Sequence, residues 1–151
     1  MAQRFRLGNR TSNVTIANAA IELRAGAILR INLHEVRVHL ASAAASVIGL
    51  GRPAAIGITP TTPKNLLTEN TNESQASAAQ TALAWVTGPT APAEFLGRAS
   101  LTANIGEFTM WKFDDGLEIP AGGSIVLWNI TGNALMDVDF VISESSYAST
   151  D

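Results

Sequence analysis

The stretch Leu117–Asn129, LEIPAGGSIVLWN, decides the fold. Leu117 and Ile119 flank a polar residue and lead into Pro120-Ala121-Gly122-Gly123-Ser124. Ile125-Val126-Leu127-Trp128 then follow as four apolar residues in a row. Proline has no N–H to give a ladder, and glycine reaches positive φ without a steric penalty. The spacing therefore predicts strand, tight turn, strand, with Pro120, Gly122 and Gly123 as the structural turn.

Outward from this turn the chain keeps reading as strand. Val138, Phe140 and Ile142 alternate with Asp137 and Asp139, so one face is apolar and the other acidic. Phe108–Phe113 alternates Thr109, Trp111, Phe113 against Phe108, Met110, Lys112, which makes both of its faces largely apolar, and Asp114-Asp115-Gly116 is a turn signal after it. Between Ile21 and Leu40 a turn falls at Ala25-Gly26-Ala27. Beyond it Ile31 and Leu33 occupy one parity while Val36, Val38 and Leu40 occupy the other. A parity slip of one residue predicts a β-bulge near His34-Glu35.

Val14-Thr15-Ile16, Ser46–Gly51, Thr81–Trp85 and Phe95–Leu101 add further short strands. Ala41–Ala45 is a run of small residues, and Gly57–Asn72, rich in Thr, Pro and Asn, reads as a long surface excursion. Eight or more short strands about ten residues apart, with Gly/Pro punctuation, predict a single all-β domain. Its expected form is an antiparallel β-sandwich of jelly-roll-like type over residues 14–144. Residues 1–13 are expected to form an N-terminal arm whose Arg4, Arg6 and Arg10 could reach a partner, and residues 145–151 a polar tail.

Composition narrows the function classes. The 151 residues are 46% hydrophobic and only 15% charged, against roughly a quarter charged on average. A surface so poor in charge leans toward assembly. A net charge of −3 and a pI near 5.3 argue against a general nucleic-acid binder. The absence of cysteine removes disulfides, thiolate metal sites and a thiol nucleophile. No secretory signal and no apolar run long enough for a membrane helix is evident, so synthesis in the cytoplasm is expected.

Motifs that would carry chemistry are weak. His34 and His39 stand five apart, not the four of a helical zinc pair, and a regular strand would send them to opposite faces. Two histidines do not make a cupin-like ligand cluster. Gly49-Leu50-Gly51 lacks the rest of a dinucleotide fingerprint. Asp114-Asp115 and Asp137/Asp139 read as turn and strand-face acids rather than a calcium site. Trp85, Trp111 and Trp128 could stack on sugars, but their apolar neighbours favour packing. No catalytic residue, metal ligand or cofactor is expected.

Ile125–Trp128 does not alternate, so two faces of one strand must be hidden, either by loops of the same chain or by another subunit. The low charge favours a subunit, with Phe108, Met110, Ile125 and Leu127 as the candidate interface.

Three stretches in this order carry a resemblance: Ile48–Ala55 with Thr59-Pro60-Thr61, Ala84–Thr90 leading to Phe95–Ala99, and Leu117–Asn129 with the closing Asp137–Phe140. Together they resemble small jelly-roll-like virion proteins of tailed bacteriophages. The resemblance implies a non-enzymatic structural protein of the virion, most simply an oligomeric capsid decoration or cement protein. A homotrimer bound to the major capsid protein is its expected form. The alternative it leaves open is a tail-fibre or spike module that binds a host receptor or glycan.

Overall fold

In a computed structural model, which describes residues 3–12, 17–70 and 75–145, two antiparallel sheets pack face to face around an aliphatic core. The strands are β1 (Arg4–Arg10), β2 (Asn18–Arg24), β3 (Arg30–Leu40), β4 (Ser46–Gly51), β5 (Ile58–Pro60), β6 (Lys64–Asn65), β7 (Leu67–Thr68), β8 (Gln80–Ala82), β9 (Trp85–Thr87), β10 (Gly97–Leu101), β11 (Phe108–Ile119), β12 (Ser124–Thr131) and β13 (Met136–Ser145). One sheet has the order β11-β3-β13-β1-β7 and the other β10-β4-β12-β2-β8-β6. The expected strand at Val14–Ile16 lies outside the described residues, as does the tail beyond Ser145.

The eight principal strands pair as one long hairpin that has been rolled up. β4 pairs with β10, β3 with β11, β2 with β12 and β1 with β13. The contacts β13–β3 and β12–β4 then close each sheet. Apart from β4 to β10, consecutive principal strands change sheet. This is the jelly-roll arrangement, a way to bury one face of every strand with few edges left over.

Alternation fixes the core. Ile21, Leu23, Ile31, Leu33, Val36, Val38, Ile125, Leu127, Val138, Phe140 and Ile142 are all fully buried in it. The parity slip in β3 is a bulge: Val141 faces Glu35 but Ile142 faces Leu33, so His34 is the extra residue. That keeps both Leu33 and Val36 on the core side.

Three expectations change. Pro120–Gly123 is a tight turn, closed by the Gly123 N–H donating to the Pro120 carbonyl (2.9 Å) with Gly122 at φ +75°. That is the position where a type II turn requires a glycine. The turn does not make a hairpin, however. Leu117–Ile119 pairs with Ile31–Leu33 in one sheet, while Ser124–Leu127 pairs with Ile21–Arg24 in the other. Asp114-Asp115-Gly116 is not a turn either. It lies within β11, where four residues, 113–116, stand opposite His34. Lastly, Arg4–Arg10 is no free arm. It is strand β1, paired with β13 and β7, because Phe5 and Leu7 alternate with the arginines and pack inward.

The apolar run in β12 is covered by its own chain. Ile125 and Leu127 enter the core, whereas Val126 and Trp128 turn outward beneath Trp85 and Phe95 of an excursion made of segments 52–60 and 85–96. Ile125 and Leu127 are fully buried and therefore cannot be interface residues. The excursion sits close enough that a Cβ on Gly49 would lie 2.5 Å from the Phe95 ring, and one on Gly51 would lie 2.9 Å from the Glu94 carbonyl. A fully buried Glu22 fastens it. The carboxylate accepts from Arg24 Nη1 (2.7 Å), Trp85 Nε1 (2.9 Å), the Gly57 N–H (3.1 Å) and Ser124 Oγ (2.8 Å).

Candidate functional site

With one sheet roofed by the excursion, the outer face of the other sheet is the broad open surface of the described structure. Strand registry turns it into rows. Phe108, His39, Asp137 and Arg10 stand side by side across β11, β3, β13 and β1. The next row is Met110, Arg37, Asp139 and Gly8. The third is Lys112, Glu35, Val141 and Arg6, ending on Leu67 of β7.

The charges in these rows mostly satisfy one another. Arg10 makes a two-point contact with Asp137 (2.7 and 2.9 Å). Arg37 pairs with Glu35 at 3.0 Å and Arg6 with Glu69 at 3.2 Å. Asp139 leans over Gly8, where a Cβ would lie 2.6 Å from its Oδ1. His39 stacks on the Phe108 ring with centroids 5.3 Å apart. The His34 ring meets Ser143 Oγ at 2.9 Å. The bulge has put both histidines on this outer face, His34 as the unpaired residue whose ring reaches Ser143 and His39 in the Asp137 row. Among the described residues no group of three or more His, Cys, Asp or Glu side chains could hold a metal ion.

Three ionisations on this face are shifted, and the Asp137 hydrogen bond raises the pKa of Arg10. The Arg10 hydrogen bond holds the Asp137 carboxyl below its ordinary value of 3.8, against a smaller opposing effect of burial. A carboxyl lowered by folding contributes stability that is complete above its unfolded value and is lost as pH falls through the folded one. Following the Asp137 carboxyl by NMR should place its midpoint below the ordinary aspartate value. In Arg10→Gln it should move back up toward that value, and an unmoved midpoint would contradict the pairing. Partial burial, aided by nearby Arg4, lowers the His34 pKa, and Glu69 opposes this.

The edge of this face carries exposed apolar groups. β11 is the outermost strand of its sheet. Phe108 and Met110 on it are 58% and 38% exposed, and Ile105 in the preceding loop is 72% exposed. Trp111 and Phe113 of the same strand point the other way and pack on the core. Only one face of β11 is thus hidden within the chain. Of the residues singled out in the sequence, Phe108 and Met110 lie together here. Arg4 and Arg6 lie across the same face on β1, and Arg10 is tied to Asp137.

The sequence reading missed Glu22, Arg24 and Lys112. Glu22 was detectable in principle, as a charge between Ile21 and Leu23 in an otherwise apolar strand. No family model and no curated protein sequence matches the chain.

Proposed function

We propose that the protein is a structural component of a tailed-bacteriophage virion, an oligomeric capsid decoration or cement protein that binds the major capsid protein and reinforces the shell. The observation that supports this most directly is the uncovered apolar edge formed by Ile105, Phe108 and Met110 beside an outermost twelve-residue strand. Burying side chains of this size stabilises by roughly 1.5–3 kcal/mol each, and an exposed strand edge offers unpaired N–H and C=O groups to a neighbour. A second copy of the chain covers both features at once, with a trimer as the preferred closed ring.

The jelly roll is compatible with this role, since viral capsid domains use it, but lectin domains and cupins use it too. The interior here is filled by aliphatic side chains rather than hollowed for a ligand. The shell-binding surface then falls to the excursion, where Ile58 and Val86 on the paired strands β5 and β9 stand exposed.

Quantitative mass spectrometry of purified particles tests the assignment. A copy number comparable to the major capsid protein is expected. A few copies per particle would instead favour a tail-fibre module, and absence from particles would overturn the virion reading.

A further inference from the structure

The bulge in β3 and the longer bulge in β11 meet, and the outer face opens there into a cleft of about 200 Å³. Arg4 and Arg6 approach it from β1, His34 from β3, and Lys112, Phe113 and Asp114 from β11. Bulges re-aim side chains that a regular ladder would hold in rows. Gly116, at φ +82°, takes the left-handed backbone that the β11 bulge needs beside the His34 ring, a conformation that favours glycine.

The charges around the cleft do not cancel. Arg6 is engaged by Glu69, and Glu35, which also borders the cleft, is engaged by Arg37. Among the described residues, Arg4 and Lys112 have no carboxylate within ion-pair distance, and Asp114 is the one remaining acid in the lining. Against these two cations Asp114 is a single acid, so the cleft keeps a net positive charge in a chain whose net charge is −3. Guanidinium and ammonium groups converging beside an imidazole match the donor set that an oxyanion requires. The volume is below the roughly 300–1,000 Å³ of pockets that enclose a whole drug-sized ligand. It suits a single anionic group.

We propose that this cleft is a binding site for a sulfate or carboxylate group, held between Arg4, Lys112 and the His34 ring. Such a group comes either as a free inorganic anion or on an acidic sugar. Bound charge favours the imidazolium, and this works against the burial and the Arg4 field that lower its pKa in the empty cleft. Arg6, Lys112, Glu35, Asp114 and Glu69 are the other charged groups that border the ring or the cleft. Sulfate affinity therefore rises as pH falls through the histidine range.

Amide NMR of the full chain, titrated with sodium sulfate against sodium chloride at matched ionic strength and separately with glucuronate, tests the site. Saturable shifts are expected at Arg4–Arg6, His34-Glu35 and Lys112–Asp114, with tighter sulfate binding near pH ~6 than near pH ~8. Arg4→Gln with Lys112→Gln should weaken binding at least about tenfold, Asp114→Asn should tighten it, and Arg10→Gln should leave it unchanged. Amide spectra of the variants that overlay the parent elsewhere show that the fold is kept. Glucuronate binding tighter than sulfate assigns the site to an acidic sugar, and the reverse assigns it to the free anion. Shifts that never saturate, that spread over the surface, or that survive in the double variant overturn the proposal.

Discussion

Glu22→Ala is expected to lower the unfolding free energy by about 3–5 kcal/mol, the range for breaking one side of a buried ion pair. Four donors converge on this carboxylate: Arg24 Nη1, Trp85 Nε1, the Gly57 N–H and Ser124 Oγ. Alanine leaves all four without their acceptor beneath the excursion. Arg24 is the worst placed of them, because its side chain is only 21% exposed and it would be left with the Gly57 carbonyl. Glu22→Gln keeps one acceptor oxygen and should cost less, about 1–3 kcal/mol.

Urea unfolding measures both losses, and limited proteolysis adds a spatial check. Cleavage within residues 52–60 and 85–96 should accelerate in Glu22→Ala before the rest of the sandwich opens. A loss below ~1 kcal/mol would mean that the excursion is held by apolar contact alone.

Leu127→Ala is expected to cost about 2–5 kcal/mol. Leu127 is fully buried in the core, on a strand flanked on both sides by β2 and β4. Its removal leaves a cavity between the two sheets that a close-packed interior can only partly refill. The result discriminates between two roles for the same residue. A core leucine destabilises the folded chain at any protein concentration. An interface leucine would weaken association and leave the stability of the single chain nearly unchanged. With total stabilities of ~5–15 kcal/mol for domains in general, the core outcome is large enough to be unmistakable in a denaturant midpoint.

Much of the architecture is legible locally, and what is illegible has a common cause. Period-two alternation exposes β13 and both halves of β3, and the parity slip exposes the bulge at His34 because a strand cannot keep a buried face otherwise. Ile125–Trp128 announces that two faces are hidden. What hides the second face is not local: Trp85 and Phe95 arrive from about thirty to forty residues upstream, where strand-like spacing does not mark them as a lid.

Pro120–Gly123 is a correct turn with the wrong consequence. Turn chemistry specifies a reversal of the backbone but not whether the next strand joins the same sheet or the opposite one. At the N-terminus, charge obscured alternation. Arg4, Arg6 and Arg10 draw attention as a basic arm, while Phe5 and Leu7 between them carry the strand signal. The face bearing Phe108 and Met110 was legible as apolar, and the cleft beside His34 was not. It forms only where bulges from two strands far apart in sequence coincide.

The uncovered β11 edge predicts self-association, which light scattering on the purified chain at rising concentration measures. A particle of three times the 15.9 kDa chain mass is expected. Phe108→Lys with Met110→Lys should return it to a single chain while the fold is retained. A 15.9 kDa species at every concentration up to about 1 mM would contradict the assembly and leave the exposed edge without the partner proposed for it.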